Sequence, residues 1–223
     1  MIPQSILQKY SQMRFSRPRF LTLLVFAALV GLSARAANAS LGAGLTHDES
    51  RRLEAGQLVV RPAERDKGSL HLLGGTSYQV IDADPVVVWK ALLDTSRYHR
   101  MMPRVIEARL VSDAERERTV FMRQGAEGFI ERRYYLKVKV DRERRDMTFM
   151  VDDRRPHDLD AAWGFYSVRP HSGGRTLLTY GVMADLGEGL LRTVVTGTVH
   201  DWMMRVPWMV KRFVEGSGKW IYK

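Results

Sequence analysis

The chain has 223 residues, 45% hydrophobic and 27% charged, enough for one globular domain with a real core plus an appendage. Its net charge of +10 is unevenly placed: Lys9, Arg14, Arg17, Arg19 and Arg35 lie in the first 40 residues without an acid, and through the body arginines alternate with acids, which argues against a nucleic-acid footprint. With no cysteine, disulfides, thiol catalysis and a lipoprotein anchor are excluded.

Phe20 to Ala34 is apolar apart from Thr22 and Ser33, and Ala37-Asn38-Ala39 offers a small-residue cleavage site before Ser40. The apolar run is shorter than the ~20 residues a helix needs to span a bilayer. Residues 1–39 therefore read as a cleaved export signal, with an uncleaved N-terminal anchor as the alternative because the basic region is long. Export implies a bacterial periplasm or an extracellular space.

Residues 40–69 read as an N-terminal extension. Thr46-His47-Asp48-Glu49 has the form of a capping box and predicts a short helix to about Ala55, ended by Gly56. Gln57 to Arg61 reads as a short strand and Pro62 to Gly68 as a polar loop. Leu70 to Asp82 is a longer strand, with a bulge or kink expected at Gly74-Gly75. Asp84 then suits an N-cap and Pro85 the first helical turn, with Val88, Trp89, Leu92 and Leu93 on the apolar face. A second short helix covers roughly Thr95 to Met101, and Pro103 stops it.

The run Val80-Ile81-Asp82-Ala83-Asp84-Pro85, followed by Val88-Trp89, Leu92-Leu93-Asp94, Tyr98, Met102-Pro103 and Val105, resembles the opening of the START-like, or helix-grip, superfamily, also called SRPBCC. It is most similar to the bacterial polyketide-cyclase-like and coenzyme-Q-binding branch, with Asp84 where that pattern more often has Pro. The resemblance covers about Leu70 to Val214 and implies a cavity that holds lipids, quinones or polyketides in relatives.

The later strands follow from alternation. Val105 to Val111 and Thr119 to Gln124 flank the turn Ser112 to Arg116, and a turn is expected at Gly125–Gly128. Across Ile130 to Val140, Tyr134, Leu136, Val138 and Val140 share one face, while Arg133, Lys137 and Lys139 take the other. Met147, Phe149 and Val151 share a face of the next strand. Trp163–Arg169, a hairpin turn at His171-Ser172-Gly173-Gly174, and Thr176 to Ala184 complete an antiparallel meander. Gly189 to Gly216 reads as one long helix with Leu191, Val195, Val199, Trp202, Val206, Met209 and Phe213 on a stripe, kinked near Met203 or Met204 by Pro207. The expectation is an α+β helix-grip fold over residues 70–223: a curved antiparallel sheet of about seven strands around a long C-terminal helix.

If the sheet does not close fully on the helix, large apolar side chains line a cavity. On the helices the candidates are Trp89, Met101, Met102, Trp202, Met203 and Val206. On the strands they are Phe121, Tyr134, Met147, Phe149, Trp163, Phe165 and Tyr180. The 11 methionines suit an adaptable pocket. Met204 and Trp208, off the helical stripe beside Arg205, Lys211 and Arg212, suit transient contact with an anionic bilayer, unless the first helices or the N-terminal segment cover them. His157-Asp158-Leu159-Asp160 fits no standard metal-ligand spacing, and Asp94, Tyr98 and His99 read as a helix end rather than an acid/base cluster. No catalytic residue, metal or cofactor is expected. The sequence thus predicts an exported, non-catalytic binder or carrier of a lipid or isoprenoid. The alternatives are a cyclase or aromatase using the same cavity, with Tyr134, Tyr180, His99 or His200 paired inside it, and a protein-interaction module of the cell envelope.

Overall fold

The computed structural model describes residues 44–125, 131–185 and 196–222. The chain divides into two units, Met1–Thr46 and His47–Lys223, and the architecture below is that of the second. The expected export signal, most of the Gly125–Gly128 turn and the first turns of the terminal helix, with Leu191 and Val195, lie outside the described residues.

Eight strands form one antiparallel sheet: β1 Val59–Lys67, β2 Leu70–Ile81, β3 Val105–Asp113, β4 Glu117–Gln124, β5 Arg132–Asp141, β6 Asp146–Val151, β7 Ala161–His171 and β8 Arg175–Asp185. Their order is β1-β2-β8-β7-β6-β5-β4-β3. The strands from β3 to β8 form a meander, and β8 returns to lie beside β2. The β2-to-β3 crossing is carried by α2 Pro85–Leu93, a 3₁₀ turn at Thr95–Arg97 and α3 Tyr98–Met101. Asp84 caps α2 as its sequence suggests, its carboxylate accepting from Val86 N at 2.7 Å with Pro85 in the first turn.

The sheet has eight strands where about seven were expected, because β1 runs on through Pro62 to Lys67. It pairs with β2 along its whole length, Val59 opposite Tyr78 and Lys67 opposite Leu70. The expected polar loop Pro62 to Gly68 is instead the second half of β1 and the turn into β2. Only Val59 of β1 is buried, so no alternation marks the strand, and a sheet edge tolerates proline. On the same face as Val59, Tyr78 and Val80 are buried. The short helix α1 His47–Glu54 covers that region, supplying the buried Leu53 and the Glu49 carboxylate that accepts from Arg61 at 2.6 and 2.8 Å.

β2 bends at Gly74 and Gly75, at φ 157° and 141°. A Cβ at either would collide with backbone of the neighbouring strands, so only glycine allows this bend. The opposite face of the sheet carries the main core. Ile81, Val120, Met122, Val138, Met147, Tyr166, Val168 and Leu178 pack there against Val88 and Leu92 of α2 and against the C-terminal helices.

Among the described residues those helices are two, α4 Thr196–Met204 and α5 Val206–Glu215. Pro207 has no N–H for the Met203 carbonyl. The helix breaks at Arg205 (φ −84°, ψ 0°), whose N–H closes a tighter turn on the Trp202 carbonyl at 3.2 Å. The break, one residue past the expected kink, shifts the helical phase. Val206, Val210, Phe213 and Val214 enter the core, and Met204, expected off the buried stripe, is buried too. Trp202 and Met209, expected on the stripe, are half-buried. No helix among the described residues is long and apolar enough to cross a membrane.

Candidate functional site

Register settles which strand residues face the helices. Tyr166 lies directly across from Tyr180, Met147 from Tyr166, and Val140 from Met147, so these four share the concave face. The next row along that face is Val138, Phe149, Gly164 and Val182. The row beyond runs Val120, Leu136 and Val151.

The middle of this wall is less covered than its position predicts. Leu136, Phe149 and Val151 pack against the core but stay only half-buried. The helices lie chiefly over β2, β8, β7 and β3. Phe149 rests on Gly164, where a methyl would run into its ring. It faces Tyr166 and Tyr180 with ring centroids 5.7 and 6.2 Å away, and those two tyrosines lie 4.9 Å apart.

The helix α4 crosses this space between distant parts of the sheet. His200 Nε2 lies 2.7 Å from the carbonyl oxygen of Gly74 on β2, which makes that nitrogen the donor. Two residues on, the Trp202 ring lies under the Arg104 guanidinium, 3.9 Å from ring centre to Cζ, just before β3. Residues two apart point to opposite sides of a helix. One narrow helix therefore touches β2 and the start of β3, although β2 and β3 lie far apart in the sheet order.

The polar groups on the wall are few. Tyr134 Oη donates to Gln124 Oε1, and Gln124 Nε2 donates to the Pro103 carbonyl at 3.2 Å. Burial pushes the phenols of Tyr134, Tyr166 and Tyr180 well above their ordinary range, so all three stay neutral hydrogen-bonding groups. Ser77, across from Tyr180, is fully buried, and its Oγ has no hydrogen-bond partner among the described residues.

Nine of the predicted lining residues, Trp89, Met101, Met102, Tyr134, Met147, Phe149, Tyr180, Met203 and Val206, lie in or against the main core. Three do not. Phe121 pairs with Tyr135, Trp163 with Met183 and Phe165 with Gly181, all on the convex face. The fourth, Trp202, is held under Arg104. Sequence reasoning missed Met122, Leu136, Val138, Tyr166 and Val182 as wall residues. The parity of Tyr134 to Val140, carried strand by strand, would have selected Tyr166 over Phe165.

The other sequence candidates have structural work. Asp94 accepts from Arg97 at 3.1 Å and from Tyr222 Oη at 2.7 Å, while Tyr98 Oη donates to the Leu92 carbonyl at 2.8 Å. His99 is exposed. In the loop at residues 157–160, the Asp158 carboxylate accepts from Arg133 N at 2.8 Å and pins the loop to β5. No group of three or more metal-ligating side chains gathers among the described residues. What the concave wall leaves partly uncovered is the apolar patch Leu136, Phe149 and Val151, beside the buried phenols of Tyr166 and Tyr180.

Residues 81–205, more than half of the chain, match the family model described as polyketide cyclase / dehydrase and lipid transport. No curated protein matches the sequence. Among solved structures, a protein of Thermus thermophilus is similar at 16% identity over 66% of this chain and 98% of its own, with a TM-score of 0.56. A STAR-related lipid transfer protein fragment from Xanthomonas axonopodis is similar at 15% identity, over 70% of this chain and 98% of its own, at a TM-score of 0.54. The Zhui aromatase/cyclase of a Streptomyces species is similar at 14% identity, over 67% and 94%, at 0.53. At these identities the likenesses concern the fold.

Proposed function

We propose, from the premise that this chain belongs to the polyketide cyclase / dehydrase and lipid transport family, that it is an exported, non-catalytic carrier of one hydrophobic small molecule, a lipid or isoprenoid, held against the concave wall of β4–β8. The observation that carries this reading is the half-covered patch of Leu136, Phe149 and Val151 in the middle of a face whose neighbours are buried. An apolar guest there gains about 0.8 kcal/mol for each methylene removed from water. The neutral tyrosines give such a guest orientation rather than charge. The lipid transfer protein among the structural neighbours agrees with this reading.

The aromatase/cyclase neighbour favours the alternative of an enzyme working in the same space. That chemistry needs an ionisable pair facing the guest. Tyr134 is committed to Gln124, His200 to the Gly74 carbonyl, and His99 faces solvent; Tyr180 does face inward beside Tyr166, but burial keeps its phenol protonated, which supports the carrier instead. Native mass spectrometry of the protein incubated with a total lipid extract tests the proposal. A 1:1 adduct of one apolar class, recovered chemically unchanged, is expected. A protein that stays guest-free across all classes, or that returns a modified guest, contradicts it. Export is tested separately, by N-terminal sequencing of the protein from a cell-envelope fraction, where Ser40 is the expected first residue.

A further inference from the structure

The C-terminal end carries a surface that the interior site does not use. Trp208 of α5 is 37% exposed, and after the 3₁₀ turn Ser217–Trp220 the side chains of Trp220 and Ile221 are 74% and 40% exposed. Beside Trp208 is a cleft of about 440 Å³ lined by Arg100, Trp208, Met209, Arg212, Phe213 and Ser217, with no acid among them. The Arg212 guanidinium lies 4.9 Å from the Trp208 ring centre. Trp220 belongs to the same 3₁₀ turn as Ser217, which lines this cleft. Lys219 is exposed close by in the chain; Arg205 is exposed too but lies 3.9 Å from the Asp201 carboxylate, and Glu215, the acid of α5, is paired with Lys211 at 2.5 Å.

We infer that this surface docks on an anionic lipid bilayer, with Trp208, Trp220 and Ile221 entering the headgroup region and a lipid phosphate seated between Arg100 and Arg212. Tryptophan, with an apolar body and a polar N–H, suits that depth, and guanidinium groups pair with phosphate oxygens. Met204, which the sequence placed on this surface, is buried and takes no part. The inference does not depend on what the interior carries.

The chain has no cysteine, so a single introduced thiol reports one place. An environment-sensitive fluorophore is attached to Ser217→Cys in the full chain, and to Thr148→Cys, an exposed position on β6, as the control. Vesicles of phosphatidylcholine with and without about 30% phosphatidylglycerol are then titrated in, a fraction at which the surface charge is substantial. The label at 217 is expected to brighten severalfold on anionic vesicles only, and the label at 148 to stay unchanged. Arg100→Gln with Arg212→Gln should weaken the response about 25-fold, since each basic residue near an anionic leaflet contributes roughly a fivefold factor. Trp208→Ala with Trp220→Ala should abolish the brightening. No response at 217, an equal response on neutral vesicles, an equal response at 148 (docking through another part of the chain), or full response in both double variants would each overturn the inference.

Discussion

The Arg104 guanidinium lies 3.9 Å from the centre of the Trp202 ring, and this contact ties α4 to the start of β3. On the other side of the same helix, His200 holds the Gly74 carbonyl of β2. The two contacts tie α4 to both β2 and the start of β3, and if a guest lies against the concave wall they should slow its exchange. A cation–π contact of this kind is worth about 1 kcal/mol. Arg104→Gln should therefore speed release of a bound fluorescent hydrophobic probe about fivefold, read by stopped-flow displacement, with a fall of only about 2–4 °C in Tm. An unchanged release rate would mean that access lies elsewhere.

Two glycines should separate stability from binding. Phe149 fills the place of a side chain at Gly164 on the concave face, and Phe165 does the same at Gly181 on the convex face. Gly181→Ala should cost about 1–3 kcal/mol in urea unfolding, the usual effect of overpacking, and Gly164→Ala more, because its methyl also meets the Gly181 carbonyl oxygen at 2.3 Å. Only Gly164→Ala, which displaces Phe149, should also weaken hydrophobic-probe binding.

The buried tyrosines predict alkaline behaviour. Tyr134, Tyr166 and Tyr180 have folded pKa values raised by burial above the unfolded value of about 10. A phenol that binds its proton more tightly when folded stabilises the protein fully below that pH, and its contribution is lost as the pH rises beyond it. Ultraviolet titration should show these phenols ionising only together with alkaline unfolding. Tyr166→Phe should remove one phenolate from that cooperative step.

At the C-terminus, Tyr222 Oη donates to Asp94. Burial pushes the Asp94 carboxyl up, but bonds from Ser96 and Tyr222 and the charge of Arg97 outweigh it and hold it below its ordinary value. This contribution is present above the unfolded carboxylate pKa of about 3.9 and disappears as the pH falls through the lower folded value. Tyr222→Phe should cost about 1 kcal/mol at neutral pH, and the loss should shrink in acid. A constant loss from neutral pH to about pH 3, below the unfolded carboxylate pKa, would show that the bond to the carboxylate is not its source.

Much of the fold was legible because its signals are local. Asp84-Pro85 marks a helix start, Gly74-Gly75 a bend, and Tyr134 to Val140 a face. What was missed depends on pairing. Nothing local in Trp163-Gly164-Phe165-Tyr166 says which aromatic faces inward, because Trp163 and Phe165 are as apolar as Tyr166. Only the register opposite Met147 and Tyr180 decides it. The second half of β1, from Pro62 to Lys67, escaped because an edge strand facing water has no alternation to show. The phase change at Arg205 turned Met204 inward, which a single 3.6-residue stripe drawn through Pro207 does not allow.

The account stands on a guest lying against the concave wall, and photo-crosslinking addresses that wall directly. A fatty acid carrying a diazirine in its chain is bound to the intact protein, irradiated, and the labelled peptides are sequenced. The account predicts labels at Leu136, Phe149, Tyr166 or Tyr180, competed away by unlabelled lipid. Labels confined to Trp163, Phe165 and Phe121 on the opposite face, or no saturable labelling, would contradict it.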